Sequence, residues 1–323
     1  MEASHLKLSE KIEEKIFENF VGYTKLFIPV QSNFLSDLYK RYQCLDSANL
    51  VLFFAKKTHQ AILRKKEYDL NYDLSFEKFW HNQNEVNLEN SSIIEIAKNT
   101  NLPKETTRRK LVELTNQRVL HRIKRNIIWQ PNEEYKKTYN IVLNDEIKQL
   151  AKLTKYITDK IGLNFSSEDI IAEYKKKFSF YWFHYLDLQL KWMKLWKSQM
   201  SDLEVVLIFM QIATLLTSRV DGIVSHKKLF SDPSIIKRPQ QINLNVSVSA
   251  TSLSDITGIP RATCIRKLNQ MASRKMITQD ENSKRYYIIP EVFNKDLVSK
   301  EITKKVTRLF SEFYFITIKA LSS

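Results

Sequence analysis

Two short runs carry long hydrogen-bond donors at a spacing that could do recognition chemistry. The first is Lys104-Glu105-Thr106-Thr107-Arg108-Arg109, and the second is Arg261-Ala262-Thr263-Cys264-Ile265-Arg266. Written as helices, Thr107, Leu111 and Leu114 form an inward stripe at i, i+4 and i+7, which Cys264, Leu268 and Met271 repeat. The opposite face then carries Lys104, Glu105, Arg108 and Arg109, with Arg261, Ala262, Ile265 and Arg266 in the matching places. Donors of this reach, at the first turns of an exposed helix, can pair with base edges and phosphates in a major groove.

Each run needs a scaffold, and the flanking residues supply the signals for one. Ser92-Ile93-Ile94-Glu95 is a capping-box pattern opening a short helix through Lys98. Thr100-Asn101-Leu102 is the expected turn; Asn tolerates left-handed backbone, and Gly258 stands at the aligned position. Pro103 and Pro260 follow, where proline suits a helix start. Downstream, His121–Ile123 and Ile127–Trp129 read as a hairpin turning at Lys124, Arg125 and Asn126. A second hairpin reads from Ile277–Gln279 and Lys284–Ile289, turning at Asp280 to Ser283 and ending near Pro290, as the first ends near Pro131. A basic hairpin after a recognition helix is a wing. The candidate contacts are therefore Lys104, Glu105, Arg108, Arg109, Lys124 and Arg125, and then Arg261, Thr263, Arg266, Lys267, Lys284 and Arg285.

The two scaffolds align with each other. Residues 100–111 over residues 257–268, without a gap, give six identities in twelve positions. Asp46–Phe53 likewise resembles Asp202–Phe209. This predicts a duplicated module with a division at 165/166: residues 1–165 with a winged helix-turn-helix at about 88–132, and 166–323 with one at about 246–291. Each module is expected to hold a long buried helix (about Ser47–Leu63 and Asp202–Ser218, the second capped by Ser201 and Glu204). Polar connections over 64–91 and 221–248 follow, the first with a short helix near Ser75–Trp80. Helices at Asn144–Ile161 and Lys295–Leu321 come after the hairpins. The fold class expected is mainly α with small β-hairpin wings.

Lys104–Leu111 resembles the recognition helix of the cyclic-AMP-receptor/anaerobic-regulator family of bacterial transcription factors. Gly258–Thr263 with Arg266-Lys267-Leu268 resembles it more closely. The resemblance covers about 40 residues, twice, and does not extend to that family's nucleotide-binding β-roll. It implies base or phosphate contacts from Lys104, Glu105, Arg109, Arg261 and Arg266; Ala262 stands where the family has Glu.

Charge distribution agrees. The formal net charge is +15. Residues 98–125 hold nine basic and two acidic side chains, and residues 261–285 hold seven and two, so 53 residues carry +12 of that total. Clustering of this kind fits phosphate neutralisation better than a uniformly basic surface.

Other chemistry lacks its residues. Only 4 glycines are present, too few for glycine-rich phosphate loops. Cys44 and Cys264 form no CxxC pair, and the 6 histidines make no HExxH, so neither metal ligands nor catalytic residues nor cofactors are expected. The apolar stretch Val205–Leu216 is too short to span a bilayer, and the N-terminus lacks a secretory pattern. A cytoplasmic, nucleoid-associated protein without membrane contact is expected. The aromatic run Phe178–Tyr185 with Trp192 and Trp196 reads as packing surface, with a stacking platform or dimer interface as the rival.

The expectation is a non-enzymatic, sequence-specific binder of double-stranded DNA. It would act as a transcriptional regulator reading two unlike half-sites, as a homodimer or a pseudo-dimeric monomer. A plasmid-type replication initiator with paired winged helices and a protein-interaction scaffold are the alternatives.

Overall fold

The computed structural model describes residues 2–219, 247–288 and 300–322. The described chain is mainly helical with two small antiparallel hairpins. In order, the helices are α1 (Glu2–Glu18), α2 (Phe20–Tyr42), α3 (Leu45–Tyr68), α4 (Phe79–Glu85), α5 (Ile93–Thr100) and α6 (Lys104–Asn116). Strands β1 (Leu120–Ile123) and β2 (Asn126–Trp129) follow, then α7 (Glu133–Lys160), α8 (Ser167–Lys176), α9 (Phe178–Met200) and α10 (Leu203–Arg219). Beyond residue 247 come α11 (Ala250–Thr257), α12 (Arg261–Ser273), β3 (Ile277–Gln279), β4 (Tyr286–Ile288) and α13 (Lys300–Leu321). Residues 221–246 of the second expected connection, Pro290, and the expected helix start at Lys295 lie outside the described residues.

The chain forms two compact units that do not follow the expected division at 165/166. A central unit comprises Asp46–Leu195 with Phe313–Ser323, and a flanking unit comprises Met1–Leu45 with Trp196–Glu312. The physical reason is long-range packing. In the central unit α9 lies on α3: Lys56 Nζ reaches Asp187 Oδ1 at 2.8 Å. His59 meets Phe178 edge-on, ring centroids 5.4 Å apart. In the flanking unit α2 packs on α10, where Gln211 Nε2 donates to Ser36 Oγ at 3.2 Å. The Leu45 N–H donates to Glu204 Oε1 at 3.0 Å, and Phe310 packs on Phe27 with centroids 4.6 Å apart.

The aromatic run is core of the central unit. Phe178, Tyr181, Trp182 and Tyr185 are buried, Phe178 stacks on Trp182, and Phe79 contacts Phe178. Rings enclosed in this way bury large apolar area and offer no face to a base.

Left-handed backbone closes elements at matching places. Asn101 (φ 53°) and Gly258 (φ 76°) end α5 and α11. Arg118 (φ 58°) and Lys275 (φ 56°) follow α6 and α12, and Gln43 (φ 54°) and Ser201 (φ 70°) follow α2 and α9. Each such residue lets an N–H satisfy a free carbonyl of the last turn, as with Gly258 N to Ser254 O at 2.8 Å.

Several boundaries differ from expectation. Phe76–Lys78 is a turn, preceded by the Ser75 N–H on Asp73 Oδ1 at 2.8 Å, and the short helix begins only at Phe79, whose ring is buried. The helix α7 begins at Glu133, eleven residues earlier than expected, because Asn132 caps it by accepting from Tyr135 N at 2.8 Å. Ser201 is not the cap of α10: its left-handed backbone already ends α9, and Asp202 Oδ1 accepts from Val205 N at 2.8 Å instead.

Candidate nucleic-acid interface

In the central unit, Ser92 starts α5 by accepting from the Glu95 N–H at 3.1 Å. The Glu95 carboxylate itself turns outward to Lys57 Nζ at 3.0 Å. The turn beyond is held from below: Asn49 Nδ2 donates to Thr100 O at 2.9 Å, and Lys194 Nζ of α9 donates to Lys98 O at 3.1 Å. Leu102 is buried, which seats the start of α6.

The stripe expected on α6 is its buried face: Thr107, Leu111 and Leu114 are all at or below 1% exposure. Lys104, Glu105, Arg108 and Arg109 are exposed on the other side. Arg108 Nη1 stands 3.7 Å from Glu105 Oε2, an open pair of little energetic weight. Among the described residues Arg109 has no side-chain hydrogen bond or ion pair, so its guanidinium is available. Strands β1 and β2 pair from Leu120 with Trp129 to Ile123 with Asn126, leaving Lys124 and Arg125 as a two-residue turn. Both are exposed, and Lys124 takes φ 55°. Asn126 belongs to the strand rather than the turn, and its Nδ2 donates to Leu88 O at 3.0 Å.

The flanking unit builds a comparable surface. Ser249 starts α11 by accepting from Ser252 N at 3.0 Å. Cys264, Leu268 and Met271 are fully buried along α12, and burial pushes the Cys264 thiol up to about 11, so it stays a neutral packing group. Arg261 and Arg266 are exposed and Thr263 is half-buried. Arg261 Nε donates to Thr251 Oγ1 at 3.1 Å, a bond that braces the side chain without enclosing it. Lys284 and Arg285 are exposed beside the β3–β4 turn. The Arg285 guanidinium clasps Ser247 O at 2.9 and 3.2 Å, beside the Val248 bridge to Tyr286. The turn is shaped by Asp280, whose carboxylate accepts from Ser283 N and Oγ at 2.7 and 2.8 Å and is held below its usual range by those bonds.

Lys267 is the exception and corrects the expectation. It is only 8% exposed, and its ammonium pairs with the Asp202 carboxylate. On a helix, the residue after Arg266 is rotated by about 100° from it, toward the body of the unit. Lys267 therefore does not belong to the exposed face.

Sequence reasoning missed the supports: Asn49 and Lys194 in the central unit, and in the flanking one Asp202 and Lys40, whose stem lies against Gly258. Asp202 did stand in the Asp46/Asp202 alignment; Lys40 and Lys194 carried no local signal. Among the described residues no group of three or more His, Cys, Asp or Glu could hold a metal ion, and no helix is long and apolar enough to cross a membrane.

What fold and surface define together is a mainly helical protein presenting two basic helix-and-hairpin faces. The chain matches no protein-family model, no curated protein and no solved structure.

Proposed function

We propose that the chain binds double-stranded DNA through two winged helix-turn-helix units that arose by internal duplication. The observation that carries the reading is the pair of exposed basic helices, α6 and α12. Each follows a left-handed turn at the same aligned position and precedes a hairpin with basic residues at its turn. Three left-handed pairs recur at a shift of 157 or 158 residues, which supports the duplication. Such backbone is uncommon outside glycine, and only one of the six residues is glycine.

In this reading Lys104, Glu105, Arg108 and Arg109 with Lys124 and Arg125 serve one half-site. Arg261, Thr263 and Arg266 with Lys284 and Arg285 serve the other. The faces differ, with Glu105 and Arg108 against Ala262 and Ile265, so the half-sites are unlike, and a pseudo-dimeric monomer acting as a transcriptional regulator fits best. Such a protein works in the cytoplasm, on the nucleoid.

Selection of bound sequences from random duplex DNA, followed by salt titration, tests this. The expected result is an enriched pair of unlike elements, with log K falling linearly against log salt by about 0.9 for each phosphate contacted. Binding without a salt slope, or no enrichment, overturns it.

A further inference from the structure

The lysines one residue beyond Arg109 and Arg266 are drawn inward in both units. Lys110 Nζ donates to Ser47 Oγ at 3.3 Å, at the start of α3. Lys267 Nζ pairs with Asp202 Oδ2, at the start of α10. Asp202 uses both oxygens: Oδ1 caps α10 through Val205 N at 2.8 Å, and Oδ2 receives the lysine. Gln270 Nε2, one turn along α12, reaches Ser201 Oγ at 3.4 Å. The Lys267 side chain is 10% exposed and that of Asp202 25%, so water screens this pair little.

Resting on the DNA-binding reading, we infer that Lys267 and Asp202 are positioning residues for the second half-site. They fix the rotation of α12 about its axis, and so the direction in which Arg261 and Arg266 point. The stripe Cys264, Leu268 and Met271 seats the helix chiefly by apolar packing, which is non-directional. A lysine held on the N-cap of another helix adds a directional tie. Lys110, through its bond to Ser47 at the start of α3, makes the corresponding tie for α6.

The test uses the full chain and a duplex carrying the two selected half-sites, the second assigned by its loss in Arg266→Ala. Lys267→Met keeps the length of the side chain and removes the tie. Asp202→Asn keeps a capping oxygen and removes the charge. Each is expected to weaken protection of the second half-site by about tenfold, because a recognition group loses its supporting contact. Protection of the first half-site and the salt slope should be unchanged, and Lys267→Arg should restore binding. Three results overturn the inference: binding like the unaltered chain, equal loss at both half-sites, or a slope reduced by about 0.9, which would make Lys267 a phosphate contact. If the unaltered chain binds no duplex, the DNA reading fails instead. Amide exchange across residues 261–273 then decides the tie by itself: faster exchange in Lys267→Met upholds it, and unchanged exchange refutes it.

Discussion

Gly258 lies against the stem of Lys40, so closely that a β-carbon built on the glycine would stand 2.9 Å from Lys40 Cγ. The same glycine holds φ 76°, and its counterpart Asn101 holds φ 53°. Two demands meet at Gly258, positive φ and close approach, while the positive φ at Asn101 is met by a non-glycine residue. Gly258→Ala is therefore expected to destabilise the chain by about 1–2 kcal/mol, from left-handed strain plus displacement of Lys40. Asn101→Gly should fall within about 0.5 kcal/mol of the unaltered chain. Urea denaturation of the three proteins checks both.

The proposed base reading rests on Arg109 and Arg266. Each truncation to Ala is expected to cost about 1–3 kcal/mol on the selected duplex and to relax sequence preference at one position. Arg125→Ala, at the hairpin turn, should weaken all duplexes alike and lower the salt slope by about 0.9. Competition binding against single-base variants separates the two behaviours. Uniform weakening by Arg109→Ala would move that residue to the phosphate class.

The stripes on α6 and α12, the cap at Ser92, the left-handed positions Asn101 and Gly258 and both hairpins were legible in the sequence. Each is written by residues within a few positions of one another, through helical period, side-chain capping or proline and glycine chemistry. What was not legible depended on distant partners. Lys267 looked like its neighbour Arg266 until Asp202, 65 positions away, proved to hold it. Ser201 looked like a cap because serine usually is one, and only the preceding helix, ending in left-handed backbone, shifts that duty to Asp202. The division at 165/166 followed the repeat, but a repeat records where similar residues recur. It carries no information on which copy's helices cover which.

His59 gives a pH dependence. It is fully buried, stacked on Phe79 with ring centroids 4.5 Å apart, and its Nδ1 has no hydrogen-bond partner. Burial lowers its pKa to about 3 from 6.5. The folded state therefore resists protonation that the unfolded chain accepts. This contribution to stability is complete above about pH 6.5 and is lost as pH falls toward 3, by up to about 1.4 kcal/mol per unit. Thermal unfolding between pH 7 and pH 4 should show this decline, and His59→Phe, which keeps a ring against Phe79, should flatten it. An equal slope in the variant would assign the decline to other groups.

Cutting the chain at the repeat boundary should separate partners rather than domains. A fragment of residues 1–165 keeps α3 to α7 but loses α8 and α9, and with them Asp187, Phe178 and Trp182 from the core of the central unit. Lys56 and the His59–Phe79 stack would then face water. In the same fragment α2 loses α10 and α13, so Tyr23 and Phe27 lose Phe310 and Ser36 loses Gln211. Exposing that much apolar surface removes about 25 cal/mol per Å² of stabilisation, far more than a domain's margin can absorb. Fragments 1–165 and 166–323 are each expected to lack cooperative thermal unfolding alone and to regain it when mixed, because each carries helices the other's core requires. Circular dichroism of the fragments, singly and at equal molar ratio, reads this directly. A cooperative transition in isolated 1–165 would show that the modules fold along the sequence after all.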